Sequence, residues 1–236
     1  MRITFFTLSC LVSLVAAEAS AGAVQVFSPL ATMNALGYNS GGRLCTTSLT
    51  GSDVSGWLSG QADGWYTTTG NNDMRWGYAS IDAAAQSLSL PNMNGTAGVC
   101  AGQKLTVNGL DAYTDMTFSF TLTPPSSTGS SYTWSLWYET TTGSTVELAK
   151  ESKGSFTTPW NVSYTVDGAQ YAAMAQNGNG KMYVVIGSTG GPNGPSATVT
   201  DLSLMATEAV VPEPAAATLG LLGFASLLMR RRRKIS

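Results

Sequence analysis

The sequence predicts an all-β fold, an antiparallel β-sandwich, on two observations. Strand-like stretches recur every dozen or so residues from Lys104 onward, separated by turns rich in Gly, Pro and Asn. Ser, Thr, Gly and Asn dominate the centre of the chain, and long amphipathic helical patterns are scarce there. Short strands at this spacing are typical of two stacked antiparallel sheets.

Two stretches alternate clearly between apolar and polar residues, which indicates half-buried strands. They run from Met116 to Leu122 and from Tyr132 to Tyr138. Weaker strand patterns cover residues 24–30, 64–69, 74–81, 145–150, 162–166, 181–186 and 197–205. We also expect one short helix, capped by Asp167, running through residues 170–175 and stopped at Gly178.

The N-terminus has the three-part pattern of a secretory signal peptide, which we assign to residues 1–21. Arg2 provides the positive charge, an apolar stretch follows from residue 3 to 17, and small residues close the segment. Ala19 and Ala21 fit an A-x-A cleavage site that would leave Gly22 as the first residue, although a cut after Ala23 fits nearly as well. A buried N-terminal helix is the less favoured interpretation.

The C-terminus, residues 210–236, combines a short motif, an apolar span and a basic end. Fifteen apolar or small residues, 215–229, would form a single transmembrane helix of about 22 Å, which is short for a bilayer core of roughly 30 Å. The predicted membrane stop consists of Arg230, Arg231, Arg232, Arg233 and Lys234. These cations should remain cytoplasmic, which leaves the body of the protein, residues 22–209, outside.

The motif Pro212, Glu213, Pro214, followed by this span and the arginine cluster, resembles the PEP-CTERM sorting signal of Gram-negative bacteria. The resemblance covers only the tail. It implies that an exosortase recognises the tripeptide and processes the protein at the membrane, after signal peptidase has acted at the other end. It also implies export to the cell envelope, the cell surface or an exopolysaccharide matrix.

The charge of the body excludes some partners. The ends hold six of the 12 basic and two of the 14 acidic residues, so the body has 6 basic and 12 acidic residues and a net charge of -6. An acidic body argues against nucleic acid and anionic membrane surfaces as partners. The chain has no histidine, which removes Ser-His-Asp and Cys-His catalysis and the common zinc sites.

Two cysteines, Cys45 and Cys100, remain once a signal peptide containing Cys10 is removed. In an oxidising compartment such a pair favours a disulfide over two free thiols. The bridge would close a loop of about 55 residues, worth roughly 4 kcal/mol in the chain-entropy model.

Four tryptophans are candidates for ligand binding. Trp134 and Trp137 point to opposite faces of one strand, and Trp137 lies on its polar side, so it is the candidate for an exposed indole that stacks on a sugar ring. The alternative is that Trp137 covers a second layer. Trp57, Trp65 and Trp76 would either form a ligand patch at one sandwich edge or pin long loops as a satellite core.

In the absence of histidine, carboxylates are the side chains left for acid–base catalysis. Glu139, Glu147 and Glu151 lie close in the chain, and Glu139 and Glu147 would face each other across a hairpin. No catalytic spacing is visible, so solvated charge on a sheet face is the better interpretation. Asn71, Asn72 and Asp73 supply oxygen ligands of the kind calcium takes, but a turn is favoured and no cofactor is predicted.

The final strand, Thr200 to Leu204, follows a covered strand and a Gly/Pro loop, and it resembles the closing strand of jelly-roll carbohydrate-binding domains. That resemblance implies that the β-sandwich is of the jelly-roll type. The leading hypothesis is an exported, non-enzymatic protein with polysaccharide as its candidate ligand. A secreted glycan hydrolase or lyase using carboxylates, and a purely structural matrix protein, are the alternatives.

Overall fold

The computed structural model describes residues 22–26, 30, 32–38, 49–69, 78–92, 98–125, 129–190 and 194–209. The predicted signal helix and the C-terminal segment lie outside these ranges. None of the helices within the described ranges has the length and apolar character needed to cross a bilayer. Gly22–Ala209 forms one compact unit of the chain.

Two six-stranded sheets form the body. Sheet 1 contains β1 (Ala23–Gln25), β4 (Ser80–Asp82), β5 (Ser87–Asn92), β7 (Tyr113–Thr123), β10 (Trp160–Val166) and β12 (Gly194–Glu208). Sheet 2 contains β2 (Met33–Tyr38), β3 (Gly64–Thr69), β6 (Gly98–Thr106), β8 (Ser131–Thr140), β9 (Thr145–Lys153) and β11 (Gly178–Thr189). The described helices are α1 (Gly51–Leu58), α2 (Gly168–Asn177) and a 3-10 turn, Leu110–Ala112.

The strand order is that of a jelly roll. From β5 to β12 the chain crosses repeatedly between the sheets, with order β10-β7-β12-β5 in sheet 1 and β6-β11-β8-β9 in sheet 2. β4, β2 and β3 extend the two sheets, and β1 pairs with the end of β12. All described pairings are antiparallel except that of β2 with β3.

The core lies between the sheets and is built from the alternation visible in the sequence. The apolar residues of β7 and the even-numbered residues of β8 point inward and are buried together. Phe118 and Trp134 pack with ring centroids 5.4 Å apart, and Phe120 lies 6.3 Å from the same indole. The predicted sandwich and the inward faces of these two strands are therefore confirmed.

Most other strand predictions also match. The patterns at residues 64–69, 145–150, 162–166, 181–186 and 197–205 fall within β3, β9, β10, β11 and β12. The pattern at 24–30 overlaps only the short β1, and that at 74–81 overlaps β4 only at its end, because residues 71–77 lie outside the described ranges. The predicted helix is confirmed as α2, with Asp167 as its N-cap and Gly178 as its C-cap.

Candidate functional site

The outer face of sheet 2 is not open to solvent where α1 crosses it. Nine buried residues form a second apolar cluster there, separate from the core between the sheets. The cluster consists of Leu49, Val54, Trp57, Leu58, Tyr66, Cys100, Trp137, Tyr183 and Val185. Sheet 2 therefore has apolar packing on both faces, and α1 forms a third layer over part of it.

Local sequence and two lysines hold α1 in place. Thr50 and Asp53 form a reciprocal capping box at its N-terminus. The Nζ of Lys150 donates to the carbonyl of Leu49 at 2.8 Å. At the other end, the Nζ of Lys104 donates to the carbonyl of Ser59 at 2.9 Å, where a cation also complements the helix dipole.

The predicted exposure of Trp137 is wrong. Its side chain is 3% exposed, because α1 covers it and Tyr183 lies opposite it in the next strand. Trp57 belongs to α1 itself and is buried against the same sheet, while Trp65 is buried in the core between the sheets. These three side chains thus match the alternative of internal packing, and Trp76 lies outside the described residues.

Glu139 is a buried carboxylate with three hydrogen-bond donors. It accepts from Nδ2 of Asn179 at 2.6 Å, from Nζ of Lys181 at 2.7 Å and from the hydroxyl of Tyr183. Burial raises the pKa of Glu139, but the donors from Lys181, Tyr183 and Asn179 outweigh it, so the pKa lies below its ordinary value. Burial and the same contact raise the pKa of Tyr183.

The other carboxylates singled out in the sequence, Glu147 and Glu151, do not form a site with Glu139. Glu139 lies opposite Thr145 and Glu147 lies opposite Trp137, so the expectation that Glu139 and Glu147 face each other is wrong. The register also shifts by one residue between Leu136 and Trp137, but Glu139 and Glu147 would not be opposite each other on either side of that shift. Glu147 instead pairs with Lys150 at 2.8 Å, and Glu151 is exposed.

No group of three potential metal ligands occurs within the described ranges. Asn71, Asn72 and Asp73 lie outside them. Cys100 has no exposed surface. Its predicted partner, Cys45, is not among the described residues, so the pairing remains a prediction.

A groove of about 400 Å³ opens beside this network, at the end of the sandwich where α2 passes into β11. We call it the polar groove. It is lined by Val107, Asn108, Gly109, Leu110, Asp111, Ala175, Gly178, Asn179 and Gly180. Its volume falls within the range usual for small-ligand sites.

The groove has exposed polar side chains beside two apolar side chains that belong to the core. Val107 and Leu110 are buried, whereas Asn108, Asp111 and Asn179 are exposed. The amide of Asn179 is fixed in position, because its Nδ2 donates to Glu139 and its Oδ1 accepts from the backbone N–H of Lys181 at 3.0 Å. Glu139 therefore orients a rim side chain without opening into the groove itself.

Glycines allow the backbone to form this groove. Gly109 and Gly180 have φ values of 68° and 86°, which side-chain-bearing residues rarely adopt. A Cβ on Gly180 would also lie 2.7 Å from the carbonyl oxygen of Val107. The hydroxyl of Tyr171 donates to the carbonyl of Leu110 at 2.6 Å, and burial raises the pKa of Tyr171 to about 12, so it stays a donor.

Sequence reasoning missed the polar groove. Its signal was present as two Asn-Gly steps, at residues 108–109 and 179–180. Asn-Gly pairs ordinarily mark the turns between strands. Nothing in the sequence shows that these two turns, about 70 residues apart, meet at one end of the sandwich.

No protein-family model matches the chain, and no curated protein matches its sequence. Several solved structures are similar. A CBM4 structure is 10% identical with a TM-score of 0.39, over 61% of this chain and 87% of that chain. The N-terminal cellulose-binding domain of β-1,4-glucanase C from Cellulomonas fimi is 13% identical with a TM-score of 0.33, over 61% of this chain and 86% of that one.

A third similar structure is the family 11 carbohydrate-binding module from Clostridium thermocellum, solved with a β-1,3-1,4-mixed-linked tetrasaccharide. It is 7% identical with a TM-score of 0.33, over 65% of this chain and 93% of that chain.

Proposed function

We propose that this chain is an exported, non-enzymatic β-sandwich that binds a neutral polysaccharide through the polar groove. We propose further that its ends deliver it to the envelope, surface or extracellular matrix of a Gram-negative bacterium. The observation that carries the binding proposal is the groove itself, a glycine-rich cleft lined by amide and carboxylate groups.

The groove's chemistry fits hydroxyl groups better than charged ones. Amides donate and accept hydrogen bonds and carboxylates accept them, which matches the mixed donors and acceptors of a sugar ring. Asp111 is the charged side chain of the lining, and the body has a net charge of -6, so an anionic ligand would be repelled. Ala175, which is half-buried, offers apolar contact to the C–H groups of the sugar.

The geometry around Glu139 supports a non-enzymatic role. A general acid in glycan cleavage needs a carboxyl group whose pKa is raised, together with a second carboxylate roughly 5 to 9 Å away. Glu139 has a lowered pKa and is occupied by three donors. Its nearest predicted partner, Glu147, forms an ion pair with Lys150 instead.

Affinity electrophoresis in gels containing neutral polysaccharides tests the binding proposal. We expect retardation of the wild-type protein, and about tenfold weaker binding in the Asn108→Ala, Asp111→Ala double variant, equivalent to about 1.4 kcal/mol. Asn161→Ala, which removes an exposed amide on the outer face of sheet 1, is the matched control and should bind as wild type. Equal retardation of all three proteins would remove the groove from the proposal.

The absence of retardation in every polysaccharide tested would favour the purely structural matrix role. Turnover of a polysaccharide that is abolished by Glu139→Gln would favour the glycan hydrolase or lyase.

The sorting proposal rests on the tail. Pro212 and Pro214 have no backbone N–H and oppose helix continuation, so we expect an exosortase to have access to Glu213. We expect Glu213→Ala to leave unprocessed precursor in the membrane, detected by fractionation and immunoblotting. Glu151→Ala, which removes an exposed carboxylate in β9, should mature normally, and normal maturation of Glu213→Ala would contradict the sorting proposal.

A further inference from the structure

The first described strand of the body is bonded directly to its last. β1 pairs with residues 205–207 of β12, with Ala23 opposite Thr207. The pairing is extended at both ends of β1. The N–H of Glu208 donates to the carbonyl of Gly22 at 2.9 Å, and the N–H of Val26 donates to the carbonyl of Leu204 at 2.8 Å.

The two cleavage positions allowed by the sequence affect this strand differently. A cut after Ala21 leaves Gly22 and the whole of β1 in the mature chain. A cut after Ala23 removes the carbonyl that accepts from Glu208 and the residue that pairs with Thr207. That product would keep only two of the three paired residues of β1 and would lose the backbone acceptor of Glu208.

The side chain of Glu208 lies against Gly22. A Cβ placed on Gly22 would lie 3.4 Å from Oε2 of Glu208, so the carboxylate is adjacent to the α-carbon that carries the Gly22 nitrogen. Within the described ranges, no lysine or arginine forms an ion pair with Glu208. A cation formed at Gly22 would lie beside this carboxylate.

We propose that the export signal is cut between Ala21 and Gly22, and that the ammonium group so formed pairs with the carboxylate of Glu208 to fasten β1 to β12. In the cut, water adds across the peptide bond. Its oxygen goes to the carbonyl carbon of Ala21, which becomes a carboxylate, and the nitrogen of Gly22 gains the protons that make it an ammonium. The inference rests on the proposed export, because the peptidase that makes the cut acts during translocation.

The cleavage position is read from the N-terminus of the exported protein. The full chain is expressed in a Gram-negative host, and the exported form is analysed by N-terminal sequencing and intact mass. We expect a start at Gly22. A start at Val24 in an exported protein would overturn this inference and leave the proposed export intact, whereas an uncut chain in the cytosol would overturn both.

The ion pair is tested by titrating the N-terminal amine after reductive ¹³C-methylation, which preserves its charge. A neighbouring carboxylate favours the charged amine, so the amine should titrate at higher pH in the wild-type protein than in Glu208→Gln. Glu151→Gln, which removes an exposed carboxylate in β9, is the control and should titrate as wild type. Identical titrations in all three proteins would overturn the ion pair even if the chain starts at Gly22.

Discussion

At the scale of single residues, Glu139 is a buried carboxylate whose charge is stabilised by hydrogen bonds. Its side chain is 5% exposed, and its two oxygens accept from Asn179, Lys181 and Tyr183. Removing one member of such a network leaves the others without partners, which is more costly than losing an exposed ion pair. The carboxylate also fixes the rim amide of Asn179.

Glu139→Gln should destabilise the protein by about 2 kcal/mol at pH 7, because the neutral amide cannot replace a charged acceptor of three donors. The folded-state pKa of Glu139 lies below its ordinary value of 4.5. The carboxylate's contribution is therefore present above about pH 4.5 and is lost as the pH falls through the folded-state pKa. Urea unfolding at pH 7 and at pH 3 should show a difference between wild type and variant that narrows on acidification.

Glu151→Gln is the control for this experiment, since Glu151 is exposed on the same sheet. Its unfolding free energy should stay within about 0.5 kcal/mol of wild type. A Glu139→Gln protein as stable as wild type at pH 7 would contradict the structural role of this carboxylate.

At the scale of elements, α1 covers part of the outer face of sheet 2 and buries side chains that would otherwise meet solvent. It packs so closely on β6 that a Cβ on Gly102 would lie 2.6 Å from the ring of Trp57. Gly102 therefore has a packing requirement that its neighbours in β6 do not share. The contact allows a large indole to lie directly on the backbone of the sheet.

Gly102→Ala should destabilise the protein by about 1 to 3 kcal/mol, because the added methyl group must displace Trp57 or the helix that carries it. Gly56→Ala is the matched control. Gly56 lies in α1, and a Cβ added there would have no atom within 4 Å, so alanine should be neutral or stabilise by up to about 1 kcal/mol. Urea midpoints and amide exchange across α1 measure both effects, and equal stabilities for the two variants would contradict the close packing.

The elements also show what the sequence was able to predict. β7 and β8 were predictable because one of their faces meets the core and the apolar residues alternate. β6 was missed because it is buried on both faces and its first half consists of small residues without alternation. α1 was missed because its glycines and serines hide the spacing of Val54, Trp57 and Leu58, although Thr50 and Asp53 gave a capping-box signal.

The prediction that Trp137 is exposed was wrong because α1, which covers this side chain, was missed. Alternation correctly placed Trp134 and Trp137 on opposite faces of β8. Which of those faces meets solvent depends on a helix that lies about 80 residues earlier in the chain. Local patterns carry no information on such a cover, so the expected exposure of Trp137 was wrong while the sandwich of the described residues was predicted correctly.

At the scale of the whole molecule, the proposed disulfide would add a covalent link between two parts of the chain about 55 residues apart. Cys100 lies in β6, within the apolar cluster under α1. A bond to Cys45 would attach the segment before α1 to the sheet that α1 covers. It would therefore restrict both the unfolded chain and the detachment of the helix.

We expect Cys45→Ala to lower the thermal midpoint, and reducing agent to lower that of the wild-type protein to the same value. The loss should approach roughly 4 kcal/mol if the chain-entropy model holds. Cys10→Ala is the control, because the proposed signal peptide contains Cys10 and its removal would leave no Cys10 in the mature protein. Unchanged midpoints in Cys45→Ala and under reduction would refute the bridge.

The pairing of β1 with β12, and of β12 with β5 and β7, has a kinetic consequence. These ladders join residues that are remote along the chain, so little of the native structure can form until most of the polypeptide has collapsed. Chains with such high contact order reach their native state in milliseconds to seconds rather than microseconds. A newly made copy would thus stay without stable structure for longer than a helical bundle of the same size, as the proposed export through a narrow pore would require.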